Sequence, residues 1–285
     1  MSREQSLLAV DVGSGSVKLG WFPAGETCST AASVPSAAMQ SLPITSSKLP
    51  IPAATLRCEH RGRDEAQWLR DIEDWLAQQD GSTEAQIAIA SVHPAAADIL
   101  AGRFSMMRSP VMCRLKAGDL QLTIRVELPT RVGIDRLLGA MAVNAVRRAD
   151  RAAIFVDMGT ATTVNLVAAD GAFEGGAILA GPQLALAALH DATASLPLVD
   201  LRGDHDFPLA AGKSTVAALR SGALWGAVGA VNELMAQMAR TLSEPPELFL
   251  TGGGAALVAE RIQLSSQAAR WVPALVLSGI RLAAK

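Results

Sequence analysis

Apolar and polar positions along the chain predict the same order of elements twice. Residues 7–12 form an apolar run interrupted only by Asp11, which is typical of a buried strand, and residues 17–22 follow across a short turn as its hairpin partner. A strand, a glycine turn and a second strand recur at residues 152–156 and 164–168. Because the two copies lie near half a chain length apart, they predict two similar α/β halves.

Helical periodicity predicts two helices between these copies. A stripe of apolar side chains predicts a helix over residues 68–76, with Gly81 after it as a stop signal, and a second helix begins near Asp135. The other predicted elements are a strand at residues 86–92, a helix at residues 255–262, and irregular strands and loops at residues 29–56. Together these elements indicate an α/β fold.

Composition limits the classes of protein to consider. The chain has 285 residues, half of them apolar and 18% charged, which describes a compact protein with room for two domains. We expect an N-terminal α/β domain at residues 1–130 and a C-terminal α/β domain at residues 131–285. The formal net charge of −2 gives no electrostatic footprint for nucleic acid or for an acidic membrane surface, so neither partner is expected.

Two further features bear on location and metal binding. The apolar stretch near the N-terminus is too short for a signal peptide or a membrane span, and we therefore expect a cytoplasmic protein. Three separated cysteines and four scattered histidines indicate neither a disulfide framework nor a zinc site. Most of the histidines are interpreted as surface residues or satisfied core residues.

The candidate chemistry lies in an Asp-x-Gly pattern that closes an apolar run twice, at Asp11 and at Asp157. Each copy places a carboxylate at the end of a buried strand, before a glycine turn whose backbone N–H groups can face a phosphate. Either copy alone is equally well explained as an ordinary turn, because Asp caps its own backbone. The pair predicts two half-sites across a nucleotide, as in a phosphotransferase.

Two other glycine-containing segments give weaker signals. Gly252 to Gly254 follow an apolar run and could bring backbone close to a flat or anionic ligand, or could form a ligand-free connection. Gly212-Lys213-Ser214-Thr215 lacks the earlier glycine of a phosphate-binding P-loop, because position 207 is Phe, so no Walker-type site is expected.

Taken in order, these blocks resemble the type III pantothenate kinases, members of the superfamily of acetate and sugar kinases, Hsp70 and actin. The blocks that carry the resemblance are Asp11-Val12-Gly13 with Lys18, Pro129 with Val132 to Arg136, Asp157 to Thr163, Gly175 to Ile178 with Gly181, Thr193-Ala194 with Leu196-Pro197, Gly212 to Thr215 with Ser221-Gly222, and Thr251 to Gly253. The chain departs from the family pattern at three places. Ser14-Gly15 replaces Asn-Thr, Asn165 replaces an aspartate, and Val126 replaces a tyrosine of the substrate pocket.

The resemblance implies two ribonuclease H-like α/β domains with a nucleotide cleft between them. It implies transfer of the γ-phosphoryl group of ATP to pantothenate, giving 4'-phosphopantothenate in the first step of coenzyme A biosynthesis. It also implies Mg²⁺, a monovalent cation (K⁺ or NH₄⁺) and a homodimer. The alternatives are a catalytically weakened or regulatory relative, motivated by the three departures, and another small-molecule kinase of the same superfamily.

The implied site residues follow from the matching blocks. Asp135 is the expected catalytic base, and its alternative role is to cap the helix that begins there. The expected ATP-binding residues are Asp11, Val12, Gly13, Ser14, Gly15, Ser16, Val17, Lys18, Thr160, Gly252 and Gly253. The expected substrate-binding residues are Gly133, Ile134, Asp135, Arg136, Thr193 and Val126. Asp157 is expected to coordinate the monovalent cation.

Overall fold

The computed structural model describes residues 5–25, 49–106, 111–201, 206–265 and 267–284. The strands are β1 (Leu7–Val12), β2 (Ser16–Phe22), β3 (Ala54–Glu59), β4 (Gln86–Ser91), β5 (Met112–Arg114), β6 (Ala153–Met158), β7 (Ala161–Val167), β8 (Phe173–Ala180), β9 (Glu247–Thr251), β10 (Gln263–Leu264), β11 (Gln267–Ala268) and β12 (Arg270–Trp271). The α-helices are α1 (Glu65–Leu76), α2 (Pro94–Met106), α3 (Ile134–Val146), α4 (Pro182–Ala192), α5 (Thr215–Ala239) and α6 (Leu275–Ala283).

The first sheet has five strands in the order β3-β2-β1-β4-β5. Strands β1, β2 and β3 pair antiparallel, whereas β4 and β5 continue from β1 in parallel. β1 is buried at all six positions, which explains why its sequence is an almost unbroken apolar run. The predicted strands at residues 7–12 and 17–22 are confirmed, and they pair from Leu7 opposite Phe22 to Val12 opposite Val17.

The second sheet repeats this topology, with the strand order β12-β9-β6-β7-β8. β6, β7 and β8 pair antiparallel, and β9 and β12 continue from β6 in parallel. Each sheet therefore has a central strand followed in sequence by an antiparallel meander and then by parallel strands on its other side. This duplicated mixed sheet confirms the predicted α/β class with two ribonuclease H-like halves.

The helices bury the faces that the periodicity predicted. Helix α1 packs Trp68, Ile72 and Leu76 into the core of the first sheet, and Asp64 caps its start by accepting the Gln67 N–H at 3.1 Å. It ends at Leu76, before Gly81, which instead opens a short 3₁₀ turn. None of the described helices is both long enough and apolar enough to span a membrane.

The chain divides into two compact units. Of the described residues, the first comprises 5–25, 49–106, 111–146 and 274–284, and the second comprises 147–201, 206–265 and 267–273. Helices α3 and α6 pack against each other, and each also contacts the first sheet. For this reason the first unit continues to Val146, beyond the expected domain end at residue 130, and takes in the C-terminal helix.

The sequence predicts a helix at residues 255–262 and irregular strands and loops at residues 29–56. Residues 255–262 form two 3₁₀ turns, Ala255–Leu257 and Ala259–Arg261, so the predicted helix is wrong. The buried side chains of Ala255, Val258 and Ile262 have helical spacing, but successive tight turns satisfy that spacing equally well. The irregular region predicted at residues 29–56 lies outside the described residues up to position 48, and its described end contains β3.

Candidate active site

The first Asp-x-Gly turn joins β1 to β2 at the carboxyl end of β1. The Gly13 N–H donates to the Ser16 carbonyl oxygen at 3.0 Å, which closes the turn and leaves Ser14 exposed at its tip. Asp11 is only 4% exposed, and the Nζ atom of Lys18 lies 3.4 Å from its Oδ2 atom. Lys18 stands directly opposite Asp11 in the hairpin. An ion pair with a buried carboxylate and a partly exposed lysine therefore adjoins a solvent-facing glycine turn.

Residues that follow β3 hold this turn from the side. The backbone N–H groups of His60 and Arg61 donate to the Gly15 carbonyl oxygen at 3.2 and 3.4 Å. The Nε2 atom of His60 lies 3.0 Å from the Gly13 carbonyl oxygen. No local sequence pattern indicates this contact, because it depends on the position of β3 beside β2 in the sheet.

The structure brings the Asp135 segment to the same edge of the first sheet. The Val92 N–H, just after β4, donates to the Val12 carbonyl oxygen at 3.0 Å. A Cβ atom on Gly133 would lie 3.6 Å from Val92 Cγ1 and 2.6 Å from Asp135 Oδ1. Asp135, in the first turn of α3, therefore lies near the residue that follows β4, and that residue is hydrogen-bonded to the last residue of β1.

Asp135 and Arg136 occupy the first turn of α3, as the sequence predicts. Asp135 Oδ1 accepts the backbone N–H of Arg136 at 2.9 Å. Burial lowers the pKa of the Arg136 guanidinium from its ordinary value, and the negative charge of Asp135 opposes this shift. Arginine stays protonated in proteins, so the first turn of α3 presents one carboxylate and one half-buried cation.

The second Asp-x-Gly turn joins β6 to β7 at the carboxyl end of β6. Asp157 pairs with Thr251 on one side and with Thr163 on the other. Its Oδ1 atom is buried and has no hydrogen-bond partner among the described residues. An oxygen of this kind leaves a position for a cation or a donor that is not part of the protein.

Gly252 is required where β9 ends beside Asp157. Its φ of +95° lies in the region that favours glycine, and a Cβ atom there would lie 2.4 Å from Asp157 Oδ1 and 2.5 Å from Met158 N. The Gly254 N–H donates to the Met158 carbonyl oxygen at 2.9 Å. The structure thus brings the Gly252–Gly253 segment against the Asp157 strand end.

Thr160 and Thr193 both belong to the second compact unit. Thr160 is half-buried in the turn after β6, and its carbonyl oxygen accepts the Gly181 N–H at 3.0 Å. Thr193 is exposed at the end of α4 and donates its hydroxyl to the Leu189 carbonyl oxygen at 2.7 Å. Val126 lies in the first unit, half-buried in a loop ahead of the 3₁₀ turn Pro129–Arg131.

The Gly212 to Thr215 block forms the start of α5. Ser214 Oγ accepts the Ala217 N–H at 3.2 Å, which caps the helix. A Cβ atom on Gly212 would lie 2.3 Å from the Ala218 nitrogen, so glycine permits close packing of this segment on the helix. Ser221 Oγ donates to the Ala210 carbonyl oxygen at 2.7 Å. Ser214 thus caps α5, and Ser221 holds the loop before it.

Two sheets of one topology, each with an Asp-x-Gly turn at the end of its central strand, define a duplicated protein of the ribonuclease H-like α/β class. Residues 7–237 match the family model of type III pantothenate kinases. The chain belongs to the type III pantothenate kinase family.

Curated relatives agree with this assignment. The type III pantothenate kinase of Dinoroseobacter shibae is 39% identical over 161 residues, which cover 56% of this chain and 60% of the relative. That of Acidiphilium cryptum is 38% identical over 175 residues, which cover 61% of this chain and 62% of the relative. The chain therefore spans about three-fifths of the length of these relatives.

A solved structure matches the fold over nearly the whole chain. The ethanolamine utilization protein EutJ from Carboxydothermus hydrogenoformans aligns with a TM-score of 0.55 at 13% identity, covering 97% of this chain and 89% of that protein. At this level of identity the likeness concerns the fold alone.

Proposed function

We propose that this protein is an ATP-dependent pantothenate kinase, which transfers the γ-phosphoryl group of ATP to the primary hydroxyl of pantothenate and forms 4'-phosphopantothenate. The observation that carries the proposal is the position of Asp135, in a chain of this family. Its carboxylate opens α3 at the same sheet edge as the Asp11 turn. Phosphoryl transfer needs such a carboxylate near the phosphate-binding loop, to take the hydroxyl proton.

Asp135 is the general base in this proposal. As the pantothenate hydroxyl oxygen attacks the γ-phosphorus, its proton passes to the Asp135 carboxylate. The bond from phosphorus to the bridging oxygen of ADP breaks at the same centre. The Arg136 guanidinium, which is planar and permanently charged, suits a carboxylate or phosphate group of the substrate.

The remaining substrate contacts follow the matching blocks. Gly133 and Ile134 would present backbone beside the reacting hydroxyl, and Thr193 would hydrogen-bond pantothenate. Its hydroxyl already donates to Leu189, so in that role it would accept a hydrogen bond through its oxygen. Val126 would contribute an apolar wall to the substrate pocket.

Backbone groups in each unit suit different parts of ATP. Val12 to Val17 span the first turn and the two strand ends that flank it. Because the Gly13 N–H closes the turn on the Ser16 carbonyl oxygen, the N–H groups of Ser14 and Gly15 are the ones that would suit phosphate oxygens. Lys18 adds positive charge beside Asp11. Thr160 would contact phosphate in the second unit, and Gly252 and Gly253 would approach the adenosine portion.

The chain's donor atoms fit the two ions that this activity would use. Asp11 offers Mg²⁺ a hard carboxylate oxygen, and contact through water suits an ion that keeps its hydration shell. The partnerless Asp157 Oδ1 atom fits K⁺ or NH₄⁺, beside the Met158 carbonyl oxygen that a Cβ on Gly252 would meet at 2.5 Å. The described residues contain no cluster of three or more metal-ligating side chains, so phosphates and water would complete either shell. Mg²⁺ would neutralise developing phosphate charge when bound.

The proposal includes a cytoplasmic homodimer. Several large apolar side chains of the second unit are exposed, among them Ile178, Leu198 and Trp225 at 64%, 61% and 40%. Exposed apolar surface of this kind supports association between copies. Light scattering at micromolar concentration should give a mass near twice the 29.6 kDa of one chain, and a monomer mass would refute the dimer.

The function is tested by measuring ADP release from purified protein with Mg²⁺ and K⁺ or NH₄⁺. We expect release to depend on pantothenate and to stay at background with glycerol or simple sugars. Mass spectrometry should identify 4'-phosphopantothenate. Release that is independent of pantothenate would overturn the proposed substrate, and release with a sugar instead would assign a different kinase activity.

A further inference from the structure

The first phosphate turn depends on contacts from outside itself. Residues 13–16 are two glycines and two serines, so the turn's own side chains restrict its backbone little. The N–H groups of His60 and Arg61 fix the Gly15 carbonyl oxygen. These bonds anchor one end of the turn to the residues that follow β3.

The His60 side chain fixes the other end. Its Nε2 atom lies 3.0 Å from the Gly13 carbonyl oxygen. Since a carbonyl oxygen only accepts hydrogen bonds, Nε2 must carry a proton and donate it. All described peptide bonds are trans, and in a trans peptide the C=O and N–H point in opposite directions. Holding the Gly13 carbonyl toward His60 therefore turns the Ser14 N–H away from His60, at the exposed tip of the turn.

The imidazole ring is itself held by two helices. Its centroid lies 5.2 Å from that of His93 in an edge-to-face contact and 6.0 Å from that of Trp68. His93 caps the start of α2, where its Nδ1 atom accepts the Ala96 N–H at 3.2 Å. Trp68 lies on the buried face of α1. The position of the His60 ring is thus set by packing that is independent of the turn.

We propose that His60 is a positioning residue for nucleotide binding: its Nε2–H group fixes the Gly13–Ser14 peptide so that the Ser14 N–H is presented to a phosphate oxygen. This role rests on the proposed ATP-binding function of the same turn. In this role His60, which directly follows β3, restrains the backbone of the turn, which the turn's own glycines and serines do little to restrict. The ligand group it serves is a phosphate of the nucleotide, and pantothenate binding does not involve it.

Two substitutions separate hydrogen bonding from ring packing. His60→Phe keeps an aromatic ring against His93 and Trp68 but has no donor. His60→Gln loses the ring but can place an amide nitrogen where Nε2 was. We expect His60→Phe to weaken binding of a non-hydrolysable ATP analogue with Mg²⁺ about three- to tenfold, the effect of one ordinary hydrogen bond. His60→Gln should restore affinity to within about twofold.

Calorimetric titration of the analogue measures these affinities without pantothenate. In the kinase assay, KM for ATP should rise in His60→Phe while KM for pantothenate stays unchanged. Ile72→Val, a truncation on the buried face of α1, is the control for general loss of stability and should keep wild-type affinity. Equal affinity in wild type and His60→Phe would overturn the role of His60. An equal loss of affinity in Ile72→Val would overturn it too. Neither result would bear on the proposed kinase function.

A measurement on the unmodified protein gives an independent check. Long-range ¹H–¹⁵N NMR should find the His60 Nε2 atom protonated, and an Nδ1-protonated neutral ring would overturn the proposal. If the wild-type protein binds no nucleotide analogue, the proposed function fails and the inference fails with it. If it binds the analogue but does not phosphorylate pantothenate, the role of His60 still stands on the affinities.

Discussion

Replacing Asp135 with asparagine distinguishes a catalytic carboxylate from one that only caps a helix. In the structure its Oδ1 atom accepts the Arg136 N–H at 2.9 Å in the first turn of α3. Asparagine keeps an oxygen for that bond and nearly the same size, but its amide cannot take a proton from the substrate. We expect kcat to fall about 10²- to 10⁴-fold, the usual loss when a general base is removed.

The capping role predicts a much smaller effect. A carboxylate at a helix N-terminus contributes about 0.3–1 kcal/mol to stability, and asparagine is itself a good capping residue. We therefore expect the free energy of unfolding of Asp135→Asn to stay within about 1 kcal/mol of wild type. Affinity for an ATP analogue should not change.

Gly133→Ala provides a matched variant that keeps the carboxylate and displaces it. The added Cβ would lie 2.6 Å from Asp135 Oδ1, closer than the 3.0 Å that such contacts rarely violate, so the oxygen must move by several tenths of an ångström. The φ of Gly133 is not in the positive range, and the contact with Val92 Cγ1 at 3.6 Å is ordinary, so the fold should tolerate alanine. Because a shift of 1 Å can cost 10²-fold, we expect a loss of about tenfold in kcat.

Both variants are assayed by ADP release at saturating ATP and pantothenate, with urea unfolding and analogue binding as measures of fold and nucleotide site. The reasoning is refuted if Asp135→Asn turns over within about threefold of wild type, far less than the loss of a base entails. In that case Asp135 is structural, and Asp11 becomes the next carboxylate to test. A wild-type rate in Gly133→Ala would show that the position of the carboxylate is not critical.

Three further predictions concern the second strand end and the surface. Gly252→Ala should lower the free energy of unfolding by about 2 kcal/mol or more, because alanine at positive φ is strained and its Cβ meets Met158 backbone; an unchanged urea midpoint would contradict this. Replacing Na⁺ by K⁺ or NH₄⁺ at constant ionic strength should raise kcat, and Asp157→Asn should remove the difference; identical rates in the three salts would exclude the cation site. A hydrogen bond from Arg103 lowers the pKa of Glu73, so this pair stabilises the fold above the unfolded carboxyl pKa and the effect is lost as pH falls through the folded pKa. Glu73→Gln should cost at most about 1 kcal/mol at pH 7, and its difference from wild type should shrink as pH falls below the unfolded carboxyl pKa, as checked by urea unfolding over an acid pH series.

The sequence predicted those elements in which burial produces a clear pattern of apolar residues. β1 is buried on both faces and gives an apolar run, and α1 buries one stripe at helical spacing. Helix α5 was missed although its buried residues, from Ser221 to Met235, also recur at spacings of three and four. Alanines and glycines fill half of its other positions, so buried and open faces differ little in polarity and the periodicity is hidden.

The candidate site was predictable only where a contact is local. The Asp11 turn and the Asp135 helix start each occupy a few consecutive residues, so a motif can locate them. His60 contacts Gly13 from 47 positions away, and only the order of strands in the sheet brings the two together. The buried Oδ1 atom of Asp157 likewise depends on how three strands meet at one edge, which no single segment encodes.

The effect of Asn165, which departs from the family motif, depends on its contacts in the structure. In sequence it removes a negative charge where the family has aspartate. In the structure Asn165 is fully buried on β7, and its Nδ2 atom donates to Thr163 Oγ1 at 2.8 Å and to the Phe155 carbonyl oxygen at 3.4 Å. A carboxylate can donate neither bond, and its charge would need compensation at a buried position. The amide is therefore satisfied locally, and the carboxylate at this strand end belongs to Asp157, the cross-strand neighbour of Thr163.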